Sequence, residues 1–141
     1  MLHPFNSCIG IEMISNLHNI ALKTQKDYDE NIQSMMRDHP NLFPNHYIKN
    51  QIYIPKLNLI EGDFFEHDLH EASVVFANST CFSKFVMDEI FNKSMELPKG
   101  TILINTSVKM PKKMMENWQF ITPFKRLMSW GLGKVFIYRK K

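Results

Sequence analysis

Glu12, Asp63 and Asn78 are the residues of this sequence whose types and positions suit the holding of a polar ligand. Each follows a short apolar run: Cys8-Ile9-Gly10-Ile11 leads to Glu12, Leu57 to Ile60 leads through Glu61-Gly62 to Asp63, and Val74-Val75-Phe76-Ala77 stops at Asn78. Short apolar runs rich in β-branched and aromatic residues read as strands buried on both faces. In open α/β sheets, ligands bind beyond the carboxyl ends of the strands. A carboxylate at such an end has two oxygens and can accept from two adjacent hydroxyls, as on a ribose. A second carboxylate can take an exocyclic amine of a base, with the ring of Phe64 beside it. An amide at the third end both donates and accepts. Taken singly, each of these residues is equally a turn or capping residue; the ordered set carries the reading.

Other chemistry-bearing residues read more plainly. His67 and His70 are three apart, a spacing that suits one helix face, but no third ligand stands near, so they read as surface histidines and no metal site is expected. Cys8 and Cys81 lie in apolar contexts without metal spacing, and read as small core residues in a reducing, intracellular compartment. Phe82 and Trp130 read as core aromatics, or as walls of a substrate channel. No apolar run approaches the roughly 20 residues of a membrane span, so no membrane partner is expected. The opening MLHPFNSCIG carries no basic region or long apolar segment, and reads as no secretory leader.

The elements that must position these residues follow from periodicity. Ser7 to Glu12 reads as a strand. Ile14, Leu17, Ala21, Tyr28, Ile32 and Met35 then recur at helical spacing as one stripe, with Ser15 or Asn16 as the cap. Pro40 and Pro44 close that helix, and Asp38 to Lys49 reads as a polar loop, with an extended piece over Gln51 to Pro55. Strands follow at 57–60 and 73–78. A helix carrying Phe85, Val86, Glu89, Ile90 and Met95 comes next, then a buried strand over 101–105 and a short helical stretch over 111–116. Two runs about Ser129-Trp130-Gly131-Leu132-Gly133 predict an antiparallel hairpin. The order predicts a single α/β domain over 1–141, its sheet mostly parallel and ending in an antiparallel pair, with helices on both faces.

The 141 residues carry a net charge of +3 that hides an asymmetry. Residues 1–98 hold 7 Lys+Arg and 13 Asp+Glu, whereas residues 99–141 hold 10 and 1. A basic final third suits a polyanion such as nucleic acid or chromatin. Lysines guarding exposed sheet edges are the alternative, because Lys112-Lys113 and Arg139-Lys140-Lys141 are short clusters.

The segments GIEMI, LIEGDFF, ASVVFANSTCF and KGTILINTS, in this order and spacing, resemble class I S-adenosylmethionine-dependent methyltransferases. Within these they are most similar to the DOT-type (disruptor of telomeric silencing) histone lysine methyltransferases, and MSWGLGKVFIYRK resembles that family's serine-tryptophan hairpin. The resemblance implies a Rossmann-like sheet and S-adenosyl-L-methionine as cofactor. It implies that Glu12 holds the ribose, that Asp63 and Phe64 hold the adenine, and that Asn78 lies beside the methionine moiety and the methyl group as the catalytic position. It also implies a histone or nucleosome partner and a nuclear location. Lys109, Lys112 and Lys113 match no motif residue.

Two departures stand beside the matches. The glycine-rich loop that such enzymes carry after their first strand has no counterpart, since only Met1 to Asn6 precede the GIE strand. The first strand is therefore expected to be missing, as in a fragment of a longer protein, unless another segment fills its place. Ser79-Thr80-Cys81 also stands where the DOT-type family has Asn-Phe-Ala. The alternatives are a non-catalytic domain docking on chromatin or nucleic acid, and a methyltransferase with another acceptor, such as RNA or a small molecule.

Overall fold

A computed structural model describes residues 5–43, 47–48, 51–52, 54–129 and 131–141. The chain folds as two compact units, Met1–Glu66 and His67–Lys141.

In the first unit, β1 (Ser7–Glu12) leads into α1 (Ser15–Asp38), and the chain returns as β4 (Lys56–Glu61). Strands β1 and β4 pair in parallel, Ser7 opposite Lys56 through Glu12 opposite Glu61. The two-residue strands β2 (Tyr47–Ile48) and β3 (Gln51–Ile52) pair antiparallel on their own. Tyr53 lies outside the described residues, so the extended piece expected over Gln51 to Pro55 is seen only in part. The core gathers Ile32, Met36 and Phe43, with Tyr28 and Ile54 packed against them. Gln25 Nε2 donates to Leu57 O at 2.9 Å and ties the helix to β4.

The helix departs from the expected stripe. Tyr28, Ile32 and Met36, spaced by four, face the cluster, while Ile14, Leu17 and Met35 are about half exposed. Length explains this: a 24-residue helix runs about 36 Å, whereas six-residue strands run about 20 Å, so a two-stranded sheet covers only part of it. The expected serine or asparagine cap is absent as well. Ile14 holds the cap position without a side-chain bond, and Glu12 supplies the acceptor instead, taking the Ile14 N–H at 2.8 Å.

In the second unit, β5 (Val74–Ala77), α2 (Lys84–Lys93), β6 (Ile102–Thr106), β7 (Trp118–Met128) and β8 (Gly131–Lys140) form one sheet with its helix. The strand order is β5-β6-β8-β7. β5 and β6 are parallel, and β8 is antiparallel to both β6 and β7, which gives the expected terminal hairpin. Gly131, at φ +126°, opens β8 in a conformation that a side chain would strain. Ser83 caps α2, accepting from Val86 N–H at 3.3 Å. Trp118, Tyr138, Phe91, Met87 and Leu103 are fully buried. Phe85 is 74% exposed, and Met87, Ile90 and Phe91 take the inner face of this helix.

Strand β5 was expected to be buried on both faces. Among the described residues it is instead an edge strand with one neighbour, and Val74 and Phe76 are 37% and 61% exposed. Cys81 and Phe82, expected in the core, are likewise exposed. Trp130 lies outside the described residues. Among the described residues, no helix is long and apolar enough to cross a membrane.

Candidate functional site

The first unit brings Glu12 and Asp63 together. Parallel pairing sets Glu12 opposite Glu61, and Gly62 N–H donates to Glu12 O at 3.1 Å as the chain leaves β4. Asp63 follows directly. Both carboxylates thus stand at the carboxyl end of one strand pair. Each has one oxygen occupied by its own backbone: Glu12 Oε1 by Ile14 N–H, and Asp63 Oδ1 by Phe65 N–H at 2.9 Å. Those bonds orient the side chains, and among the described residues the second oxygen of each has no hydrogen-bond partner. Phe64 is half-buried and packs its ring on Phe65, with centroids 4.0 Å apart.

Asn78 belongs to the second unit, just past the end of β5. It is exposed, and its Oδ1 accepts from Thr80 Oγ1 at 3.3 Å and from Thr106 Oγ1 at 3.5 Å. Ser79, fully buried, donates its hydroxyl to Thr106 O at 2.6 Å. The two threonine hydroxyls lie 3.2 Å apart. With its oxygen taken by hydroxyls, the Asn78 amide nitrogen is left to donate outward. Parallel pairing of β5 with β6 is what places Asn78 beside Thr106.

The residues that sequence reading missed lie in this second cluster. KGTILINTS reads as a buried strand over Thr101 to Asn105, with no side chain given a role. Its last polar residues, Asn105 and Thr106, are 0% and 2% exposed and shape the strand end. Asn105 Nδ2 donates to Val108 O at 2.6 Å, and Val108 N–H donates to Thr106 O at 2.9 Å. Together they bend the chain through Ser107, held at φ +73°. A three-residue turn of this kind is rare and strained for a residue with a side chain. The sequence signal was present: two adjacent polar residues ending a strand that is otherwise buried.

Solved structures share this architecture. A protein assigned as a methylase from Haemophilus influenzae superposes with a TM-score of 0.57 at 13% identity, over 96% of this chain and 73% of its own. A protein assigned as a methyltransferase from Escherichia coli gives 0.51 at 11% identity, over 96% and 66%. The N-methyltransferase NodS from Bradyrhizobium japonicum gives 0.51 at 8% identity, over 95% and 73%. The fold is Rossmann-like, that of the class I methyltransferases. No family model and no curated protein matches the sequence. At these identities the likeness to class I methyltransferases is one of fold, and the roles of individual side chains rest on this chain's own geometry.

That geometry suits the nucleoside end of S-adenosylmethionine. The donor set wanted by a ribose diol and an adenine amine is acceptor oxygen, and Glu12 and Asp63 each have one such oxygen uncommitted. Phe64 adds an apolar ring beside them.

Two further groups were singled out by sequence. His70 is exposed and its imidazole bonds to Asp68, as a surface histidine would. The terminal basic cluster is partly occupied. Lys140 Nζ donates to Met95 O at 3.1 Å and lies 5.1 Å from the Trp118 ring centroid. Burial pushes its pKa down. Lys141 Nζ donates to Met115 O at 3.2 Å. These bonds tie the end of β8 to neighbouring turns.

Proposed function

We propose that this chain takes part in S-adenosylmethionine-dependent methyl transfer, with a protein lysine on a histone as the acceptor. The observation that carries the first half is the pair Glu12 and Asp63. Each is pinned by its backbone at the same strand ends and keeps one oxygen to accept, within a methyltransferase-like fold. Glu12 would hold the ribose, and Asp63 and Phe64 the adenine; for Asn78, a place beside the methionine end rests on the sequence resemblance alone. When bound, the cofactor supplies an activated methyl group on a sulfonium.

The chain's own contribution is orientation. The transfer needs little covalent help, and holding the acceptor in line with the methyl supplies most of the acceleration. The acceptor lysine must be neutral to attack, and an apolar channel lowers its pKa toward that state. The histone acceptor, and the nuclear location that goes with it, rest on the sequence segments alone. Ser79 and Thr80 bear on this choice. Buried or half-buried and bonded to Thr106, they organise the strand end with hydroxyls, where the DOT-type pattern has Asn-Phe.

The test is calorimetric titration of S-adenosylmethionine into the protein, followed by Asp63→Ala and Glu12→Ala. Each variant should weaken binding about tenfold or more, the loss of a charged acceptor. Absence of binding, both by this chain and by any longer natural form that contains it, would remove the proposal. For the acceptor, methyl groups found on a histone lysine after incubation with nucleosomes would support the finer reading, and methyl groups found on nucleic acid would replace it.

A second reading is favoured by one observation, the concentration of 10 cations against 1 carboxylate in residues 99–141. Under it the second unit docks on nucleic acid, with or without methyl transfer.

A further inference from the structure

One face of the β7–β8 hairpin carries a cost that nothing in the fold explains. Lys125 and Lys134 stand directly opposite each other in the antiparallel register, so their side chains share a face. Like charges directly opposite are destabilising. Both lysines are exposed, and no Asp or Glu occurs anywhere from Asn117 to the end of the chain. The next inward pair on the same face is Pro123 with Phe136, and the next outward pair is Leu127 with Leu132.

Lys125, Lys134, Pro123 and Phe136, with Phe124, border a concavity of about 640 Å³. Its other wall is the strained turn after β6, with Ser107 and the exposed Lys109. The Ser107 N–H donates to Lys134 O at 2.9 Å, which fixes the two walls together. Lys109 Nζ lies 4.9 Å from the Phe120 ring centroid, held above the hairpin. Three lysines therefore surround a floor of proline and phenylalanine, in a volume within the range of ligand pockets.

We propose that this concavity binds a strand of single-stranded nucleic acid. A phosphate bridges Lys125 and Lys134 and relieves their repulsion. Lys109 meets the neighbouring phosphate, and an unpaired base or its sugar covers the floor at Pro123 and Phe136. Lysine is a point charge that suits phosphate oxygens without a fixed geometry. A duplex keeps its bases stacked inside and has nothing to place on an apolar floor. An acidic peptide suits the charge, but the peptide modes that rest on main-chain hydrogen bonds need a free strand edge. Here the concavity opens on a sheet face, where the ladder already uses the backbone. The site lies at the same sheet end as Asn78, since Thr106, which bonds Asn78, immediately precedes Ser107. The proposal deepens the nucleic-acid reading of the basic third and is independent of methyl transfer.

The experiment is fluorescence anisotropy with a labelled single-stranded oligouridylate and the whole chain, without cofactor. Three phosphate contacts predict a log–log salt slope of about −2, close to a twentyfold loss over a fourfold rise in salt. Lys125→Glu with Lys134→Glu should weaken binding at least tenfold and flatten the slope by about 1.4. Lys112→Glu with Lys113→Glu changes the net charge equally outside the concavity, and should cost less than about threefold. Lys134→Glu alone turns a repulsive pair into an attractive one, so it should raise the thermal midpoint while lowering affinity. The proposal is overturned if the outside pair weakens binding as much as the inside pair. It is also overturned if duplex DNA or polyglutamate competes as well as the single strand, or if the oligomer does not bind. Failure here leaves the calorimetric test of S-adenosylmethionine untouched.

Discussion

Glu12 shows how one side chain serves two ends of its environment. One oxygen ends the orphan state of the Ile14 N–H at the start of α1, which otherwise has no side-chain cap. The other takes no hydrogen bond among the described residues. Asp63 repeats the arrangement across its own turn. Tyr138 is a residue of the opposite kind, buried and wholly structural. Burial pushes its hydroxyl pKa up, and that hydroxyl accepts from Met110 N–H at 2.9 Å. Tyr138→Phe should cost about 1–3 kcal/mol, because the buried Met110 N–H is left without an acceptor. Chemical denaturation measures this directly, and a change below about 0.5 kcal/mol would show that the bond adds nothing.

The Asp68–His70 pair gives a pH signature at the same scale. A hydrogen bond from His70, then its charge, lowers the Asp68 pKa below 3.8. The same bond, then the Asp68 charge, raises His70 above 6.5. The raised histidine favours folding fully below its unfolded value, and that contribution disappears as pH rises through the folded value. The lowered aspartate favours folding above its unfolded value, and its contribution disappears as pH falls through the folded value. Both act together between about pH 4 and 6.5. Titration of the His70 ring by NMR should show a midpoint above the ordinary value. Asp68→Asn should bring it back, and an unmoved midpoint in that variant would dissolve the pair.

At the scale of elements, the end of β6 is where local preference yields to position. Asn105, buried without a partner for its Oδ1 among the described residues, spends its amide N–H on Val108 O. That bond helps hold Ser107 at positive φ. Strain of this kind costs on the order of 1–3 kcal/mol for a residue with a side chain. Ser107→Gly should therefore stabilise by up to about 1 kcal/mol, after the added freedom of the unfolded chain is subtracted. Ser107→Val should destabilise by more than that, since a β-branched residue tolerates positive φ worst. Equal thermal midpoints for serine, glycine and valine would mean that the turn carries no strain. The mis-set stripe of α1 belongs here too. Helical spacing allowed both Met35 and Met36, and packing with Ile32 and Phe43 chose the second.

At the scale of the molecule, both parallel pairs are narrow. Among the described residues, β1 pairs only with β4, and β5 pairs only with β6. Parallel strands are ordinarily covered on both sides, yet Ile9 in β1 is 63% exposed and Phe76 in β5 is 61% exposed. Open apolar edges invite pairing with other chains, and an inserted charge is the usual safeguard. Phe76→Lys should therefore lower self-association at high concentration with the fold intact. Light scattering beside circular dichroism checks this, and unchanged scattering would show that the β5 edge is not the sticky one. The charges are polarised along the chain as well, acidic before residue 99 and basic after it. Lys140 and Lys141 are bound to carbonyls, whereas Lys125 and Lys134 of the hairpin are exposed.

Periodicity and composition were enough for the element order, the parallel pairs, the closing hairpin and the strand-end positions of Glu12, Asp63 and Asn78. Those features depend on local patterns, namely alternation, helical spacing, glycine at turns and polar residues where strands end. Folding alone decided that β5 lies at an edge, because edge and centre have the same apolar composition and differ only in how many neighbours arrive. It also decided that Glu12 caps the helix in place of a serine, and that Thr106 joins Asn78 across 28 residues of sequence. The facing of Lys125 and Lys134 likewise came from the register of two strands, since nothing in the spacing of two lysines nine residues apart marks them as opposed.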